Sequence, residues 1–258
     1  MPQPDRQDRL LSHLQASGRA TVVELANGLG VTPATIRRDL QLLAGEGRLL
    51  RTYGGAALTD RRIVRDARTI DAKRAIAETA AHLVTDGSTI AIGSGTTTLE
   101  FARRLVDRRL TAITNALDVA NVLVDRAGIE LIILGGVVRP RMHSMLGHLA
   151  DMATSELRAD TLFMGIGAIS LGRGLMNDSV PEIQTDRALM RMARTVVVLA
   201  DATKFDQVAP AFVFGLESVD TIVTDSAIDP AHVVEIEGAG IRVIVARPDA
   251  GRAPGDSR

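Results

Sequence analysis

The sequence predicts a two-part α/β protein: a small unit of short helices closed by a strand pair, then a larger, mainly parallel sheet covered by helices. Three observations predict it. The chain has 258 residues, about one and a half typical domains. Capping and turn signals crowd the first 57 residues, whereas from Lys73 onward near-continuous Ile/Val/Leu runs alternate with amphipathic stretches; such runs are the mark of parallel strands buried on both faces. The charge divides in the same region. Residues 1–62 carry nine Arg against six Asp and Glu, net +3, and residues 63–258 carry 21 Lys and Arg against 25, net −4.

Composition bounds the function. At 46% hydrophobic and 24% charged residues the chain can build a packed core and is no disordered polymer. It has no cysteine, which excludes disulfides, thiolate zinc sites, iron–sulfur clusters and a cysteine nucleophile. No apolar run reaches the ~18 residues of a membrane span, and the opening MPQPDRQDRL is too polar for a signal peptide, so a soluble cytoplasmic protein with no membrane partner is expected. The net charge of −1 argues against a nucleic-acid partner only until it is divided as above. Two lysines, Lys73 and Lys204, stand beside 28 arginines, a bias of coding composition. No internal repeat is visible.

In chain order, Leu10, Leu11 and Leu14 share one stripe of an opening helix that Gly18 ends. Thr21-Val-Val-Glu24 is a capping box opening a second helix to about Leu29, stopped by Gly28 and Gly30. Thr32 offers an N-cap and Pro33 the first position of a third helix, which runs to Leu43 or Ala44 and is closed by Gly45 and Gly47. Arg48–Arg51 and Thr52–Ala57 read as two strands, a wing. This gives a DNA-binding unit over 1–57 and a charged linker over 58–72. An α/β unit, suited to effector binding and oligomerisation, spans 73–247, and a tail follows at 248–258. Its strands are predicted at Thr89–Ile92, Leu110–Thr114, Glu130–Leu134, Thr161–Gly165, Thr195–Ala200, Thr221–Thr224 and Arg242–Ala246. Helices are predicted near 73–85, 97–107, 116–126, 148–158, 181–194 and 229–238.

On the third helix, with Ile36 at zero and about 100° per residue, Leu40 and Leu43 fall within roughly 40° of it and face the core. Ala34, Arg38 and Gln41 fall on the far side, with Arg37 on the flank. A small, basic N-terminal face is what a recognition helix presents to base edges in the major groove. Arg37 and Arg38 can each make a bidentate pair to guanine or clamp a phosphate, while Thr32 and Thr35 can bond phosphates through hydroxyls or helix-terminal amides. Together with the wing, which carries Arg51 and Tyr53, the pattern is a winged helix-turn-helix whose partner is double-stranded operator DNA. Tyr53, the only aromatic in this unit, suits a core position or a DNA contact equally.

The runs V22–A26, V31-T-P-A-T-I-R-R-D-L40 and G47-R-L-L-R-T-Y-G-G-A56 resemble the N-terminal signature of DeoR-type bacterial transcription regulators. The most specific part is T35-I-R-R-D-L40 with Y53-G-G-A56 at the expected distance. Tyr53 stands where many members have histidine.

In the second unit, Gly93-Ser-Gly-Thr-Thr-Thr98, Thr114-Asn115, Gly135-Gly136, Gly165-Ile-Gly-Ala168 and Asp201-Ala-Thr-Lys204 each follow a strand, at the end where open α/β sheets bind ligands. Ser94, Gly95, Thr96, Thr97 and Thr98 supply helix-terminal amides and four hydroxyls, a cradle for a phosphate. The turn lacks the third glycine of the dinucleotide fingerprint and the Gly-Lys-Ser/Thr of a nucleotide P-loop, so no cofactor is expected. Gly93 and Gly95 equally suit a plain strand-to-helix turn. Lys204 reads as a cation for a sugar phosphate, with Asp201 on a hydroxyl, or as a solvated surface lysine. Glu182 and Asp178 are further candidates, and Arg139 and Arg141 read as phosphate clamps or as surface charges.

The resemblance extends over about residues 5–230. K73-R-A-I-A77, D86-G87, G93–T98, T114-N115, L134-G-G136, G147 and D201-A-T-K204-F205 look like the DeoR-type effector domain, which is similar in fold to ribose-5-phosphate isomerases. It implies a Rossmann-like sensor and a transcription factor, usually a repressor of sugar catabolism, relieved by a phosphorylated sugar or sugar-alcohol. Carried over by position, the phosphate site is Ser94 to Thr98, and the sugar site is Asn115, Gly135, Gly136, Asp201 and Lys204, with Thr114 beside it. The isomerases carry an Asp-Gly-Ala-Asp run near the fourth strand; here G165-I-G-A168 has no carboxylate, and general acid–base isomerisation needs one. That favours a binding pocket over an enzyme. The alternative is a phosphosugar isomerase or aminosugar-phosphate deaminase with an accessory DNA-binding domain.

The histidines 13, 82, 143, 148 and 232 are scattered, so no metal site is expected. Ser94 lacks a His–Asp set for hydrolysis, and Met142, Met145, Met152, Met164 and Met176 suit packing. The expected assembly is a homo-oligomer, dimer or tetramer, that sets two winged helices on paired half-sites.

Overall fold

A computed structural model describes residues 3–17, 19–45, 49–52, 54–57, 69–140 and 142–247. Gly18, Gly47, Arg48, Tyr53, Arg141, most of the expected linker (58–68) and the expected tail (248–258) lie outside the described residues. The chain divides into two compact units, Met1–Ile70 and Asp71–Arg258.

The first unit has three helices, α1 (Gln3–Ser17), α2 (Val22–Leu29) and α3 (Pro33–Gly45), and three strands, β1 (Arg19–Thr21), β2 (Leu50–Thr52) and β3 (Gly55–Ala57). Leu10, Leu11, Leu14, Leu25, Ile36, Leu40 and Leu43 form its core, the stripe and wheel the sequence predicts. The wing is shorter than expected, because the chain turns at Gly54 with φ 79° and pairing stops at Thr52 and resumes at Gly55. It also has a strand the sequence did not suggest. β1 pairs antiparallel with β3, giving the order β1-β3-β2. That close approach demands a glycine at position 55, where a Cβ would lie 2.2 Å from the Ala20 carbonyl oxygen.

The second unit opens with α4 (Ile70–Ala81), three residues earlier than predicted. It continues through β4 (Thr89–Ile92), α5 (Thr96–Arg103), β5 (Leu110–Thr114), α6 (Leu117–Leu123), β6 (Ile129–Ile133), the short β7 (Val137–Val138) and β8 (Met145–Leu146), α7 (His148–Glu156) and β9 (Ala159–Gly165). β10 (Ala168–Ser170), β11 (Gly174–Asn177), α8 (Ile183–Met192), β12 (Ala193–Leu199), β13 (Ala211–Phe214), β14 (Thr221–Asp225), α9 (Pro230–Gly238) and β15 (Arg242–Ala246) complete it. All seven predicted strands join one sheet in the order β15-β14-β12-β9-β4-β5-β6, and every neighbouring pair is parallel.

Alternation along these strands feeds two cores. Leu162, Met164, Val196 and Val198 pack on one face with Leu189 and Met190 of α8 and Ile236 of α9. Phe163, Val197 and Leu199 pack on the other with Ile76 of α4, Phe101 of α5 and Val119 of α6. Ordered by sequence, the strands run 3-2-1-4-5-6-7 across the sheet, a doubly wound arrangement whose direction of winding reverses between β4 and β9. The crevice at the carboxyl ends of those two strands is where such sheets bind ligands. The sequence did not reveal the antiparallel sheet β10-β11-β13 or the β7–β8 pair.

Candidate functional site

In the first unit the local chemistry of the turn is as the sequence implies. The Glu24 amide donates to Thr21 Oγ1 at 3.2 Å and the Thr21 amide donates to Glu24 Oε2 at 2.7 Å, closing the capping box. Gly30, at φ 65°, ends α2 in the left-handed conformation, whereas Gly28 lies within the helix. Thr32 caps α3, its Oγ1 accepting from the Thr35 amide at 3.3 Å and lying 2.9 Å from Thr35 Oγ1. Ala34, Arg37, Arg38 and Gln41 are exposed on α3, and Arg51 lies on β2. Asp39, beside the two arginines, is buried at 1% exposure and bound by Arg6 of α1. Nothing in the local pattern around either residue points to that ion pair.

In the second unit the loops after β4 and β9 meet at the switch point between the two strands. The Gly93 amide donates to the Phe163 carbonyl at 2.9 Å. The ideal Cβ position of Gly165 lies 3.7 Å from the Ser94 oxygen, so the two loops cross closely. α5 starts after Gly95 at φ 144° with no side chain capping its first turn, which leaves amides available to an anion. Thr97 and Thr98 are buried, and Thr98 Oγ1 donates to the Gly95 carbonyl at 2.9 Å.

Lys73 is the residue sequence reading missed here. It is 1% exposed and its Nζ donates to Thr96 Oγ1 at 2.9 Å. A lysine so buried is rare, and here it is held against the first threonine of α5. The available signal was its place on the same 3.6-residue stripe as Ile76, Ala77 and Ala80, all buried.

The remaining predicted residues divide. Thr114 Oγ1 donates to the Ile92 carbonyl at 2.7 Å and accepts from the Ala116 amide at 3.0 Å, so its hydroxyl fixes the turn that presents Asn115. Asn115 is 2% exposed. Its Nδ2 donates to the Met145 carbonyl at 3.3 Å, while its Oδ1 is buried and has no partner among the described residues. Gly135 and Gly136 have φ of 70° and 110°, and a Cβ on Gly136 would lie 2.6 Å from the Leu146 carbonyl oxygen. These glycines let the β7–β8 pair fold back over the Asn115 turn. Asp201, 1% exposed, accepts from the amide and hydroxyl of Thr203 and caps the short 3₁₀ turn Ala202–Lys204. Lys204 is half-buried at the end of that turn.

A polar cluster joins the loop after β9, the β7–β8 segment and the start of α8. Arg139 Nη1 lies 2.9 Å from Glu182 Oε1 and also bonds Ser179. Ser144 Oγ donates to the same Glu182 oxygen at 2.8 Å. Asn177 Oδ1 accepts from the Gly167 amide at 2.8 Å, and its Nδ2 donates to Asp186 Oδ2 at 2.6 Å. Glu182 and Asp186 are buried, and burial together with the Glu182 charge pushes the Asp186 carboxyl up to about 7. The run G165-I-G-A168 carries no carboxylate, as the sequence shows, yet α8 and the turn before it bring two there in space. Glu182 is already a candidate from the sequence, whereas Asp186 is not. Elsewhere, His143 Nδ1 lies 2.9 Å from Asp118 Oδ1.

Comparison with known proteins gives the same two parts. Residues 6–62 match the model of the DeoR-like helix-turn-helix domain, and residues 68–226 match that of the DeoR C terminal sensor domain. The chain belongs to the DeoR family. It is 30% identical over 250 residues to the putative aga operon transcriptional repressor of Escherichia coli O157:H7, covering 93% of each chain. It is 31% identical over 242 residues to the glycerol-3-phosphate regulon repressor of E. coli K12, covering 92% of this chain and 96% of that one. Among solved structures, ribose 5-phosphate isomerase A of Methanocaldococcus jannaschii matches 53% of this chain and 55% of its own at 21% identity, with a TM-score of 0.40. No helix among the described residues is long and apolar enough to cross a membrane.

Proposed function

We propose that this DeoR-family chain is a sequence-specific DNA-binding transcriptional repressor of a sugar-catabolism operon, working in the cytoplasm as a homo-oligomer. A phosphorylated sugar or sugar-alcohol, bound at the carboxyl ends of β4 and β9, relieves it. Thr32, Thr35, Arg37, Arg38, Gln41, Arg51 and Tyr53 meet the operator. Ser94 to Thr98 hold the phosphate, while Asn115, Gly135, Gly136, Asp201 and Lys204 surround the sugar. The observation that carries the reading is the Lys73–Thr96 hydrogen bond. A desolvated ammonium beside uncapped helix amides, at the switch point of a doubly wound sheet, is built for a dianion. The relatives' names, repressors of an aga operon and of a glycerol-3-phosphate regulon, support both halves of the reading.

For control, the effector must bind the two DNA-binding states with different affinity. The test is selection of an operator from the DNA flanking the gene, followed by titration of the complex with phosphorylated sugars. Release of DNA by one of them is expected, and Lys204→Ala should bind DNA but fail to respond. A protein that selects no DNA sequence would sink the reading.

The isomerase or deaminase reading stays in play because Glu182 and Asp186 supply buried carboxyls near the crevice. Turnover of a pentose- and hexosamine-phosphate panel by the purified protein decides it, and no turnover is expected.

A further inference from the structure

The end of the crevice away from the phosphate cradle has an excess of hydrogen-bond acceptors. Glu182 and Asp186 sit one turn apart, both buried. Glu182 has a cation, Arg139, and a hydroxyl, Ser144. Asp186 has an amide, Asn177 Nδ2, and among the described residues no cation within ion-pair distance. Beside them, Asn115 is held by its Nδ2 to the Met145 carbonyl, next to the Ser144 that carries Glu182, and its buried Oδ1 accepts nothing among the described residues. An orphaned buried acceptor such as Asn115 Oδ1 is costly and rare.

We infer that Asp186, with Glu182 and Asn115, forms a subsite for a positively charged, donor-rich group on the effector, a primary ammonium carried by a phosphorylated sugar. An ammonium brings three donors and no acceptor, which answers the acceptor excess. It also brings a positive charge next to Asp186, whose one bonded partner among the described residues is the neutral Asn177 amide. A hydroxyl in its place supplies one donor and no charge. Burial, and after it the Glu182 charge, hold the Asp186 carboxyl up at about 7, and a cation bound beside it would favour the ionised form.

The placement matches a ligand with charges at its two ends. Gly165 lies against Ser94 of the cradle, and two residues later the Gly167 amide bonds Asn177, the residue that holds Asp186. The subsite and the cradle thus flank one loop, with phosphate on one side and ammonium on the other. This rests on the sugar-phosphate reading and sharpens it to amino-sugar phosphates.

The experiment is calorimetric titration of the full-length protein at neutral pH with two matched pairs. These are D-glucosamine 6-phosphate against D-glucose 6-phosphate, and D-galactosamine 6-phosphate against D-galactose 6-phosphate. In at least one pair the amine should bind about tenfold tighter or more, the scale of a charge-assisted hydrogen bond. Asp186→Asn keeps the size of the side chain and its contact with Asn177; it should bring the two members to within about threefold. Glu182→Gln should narrow the gap as well, and serves if Asp186→Asn does not fold. Equal affinities within both pairs, or a gap that survives in both variants, would overturn the inference while the sugar-phosphate reading stands. Failure of all four compounds to bind would remove that reading and the inference with it.

Discussion

Arg6 on α1 and Asp39 on α3 meet across 33 positions of sequence in two hydrogen bonds, Nε to Oδ2 at 2.5 Å and Nη2 to Oδ1 at 3.0 Å. Asp39 directly follows Arg37 and Arg38, so this bidentate pair fixes the rotation of the helix that presents them. Removing Arg6 strands the buried Asp39 carboxylate, which costs more than losing both. Asp39→Ala and Arg6→Ala should each lower Tm by several degrees, with the double variant less unstable than the sum. A double-mutant cycle by thermal melts checks this; strictly additive losses would show the two side chains act independently.

Arg37 and Arg38 present the opposite case. Both are exposed, so Arg37→Ala and Arg38→Ala should leave Tm unchanged. Operator affinity should fall by about 1–3 kcal/mol for each residue that reads a base. Fluorescence anisotropy with specific and scrambled duplexes separates the cases, since loss of a phosphate contact weakens both duplexes alike. Wild-type affinity and selectivity in both variants would remove α3 from the recognition role.

What the sequence disclosed and what it hid follow from the range of the interactions. The seven sheet strands were readable because burial on both faces writes Ile, Val and Leu in unbroken runs. The glycine turns after them were readable because a turn needs residues of its own. β1 was hidden, being three residues, Arg19–Thr21, whose last member also reads as an N-cap. The β10-β11-β13 sheet was hidden because its strands are three or four residues long, too short for alternation to register. At the site, Ser94–Thr98 announced itself by composition. Lys73 and Asp186 did not, because what singles each out is what the fold packs against it, Thr96 and Asn177, at separations of 23 and nine residues.

Lys73 offers a clean separation of binding from stability. Desolvating an ammonium opposes folding, and Lys73→Met keeps the stem while removing the charge. The variant should melt at the wild-type temperature or above it. It should also lose the upward shift in Tm that millimolar inorganic phosphate gives the wild type by mass action. A retained phosphate shift would mean that Lys73 does not face the anion.

Gly136 tests the turn over Asn115. Its φ of 110° and the 2.6 Å approach of the Leu146 carbonyl to a Cβ leave no room for alanine without moving the β7–β8 pair. Gly136→Ala should weaken effector binding more than it weakens the fold, because β7 and β8 have two residues each and lie outside the seven-stranded sheet. Paired measurement of effector affinity and Tm checks this, and a change in Tm alone would contradict it.

Asp186 should leave a signature in the pH dependence of stability. Its carboxyl titrates near 3.8 when unperturbed and at about 7 in the fold. Between those values the folded protein keeps a proton that the unfolded chain has released. The contribution of Asp186 to stability is therefore fully present at low pH, falls as pH rises toward 7, and is gone above it. Asp186→Asn removes that dependence. The difference in unfolding free energy, variant minus wild type, should rise in favour of the variant between about pH 4 and pH 7 and then level off. The total change should be on the order of a few kcal/mol. Urea melts across this range measure it directly. A difference that is flat with pH would place Asp186 in a wetter, ordinarily titrating environment, and the acceptor excess at that end of the crevice would lose its main member.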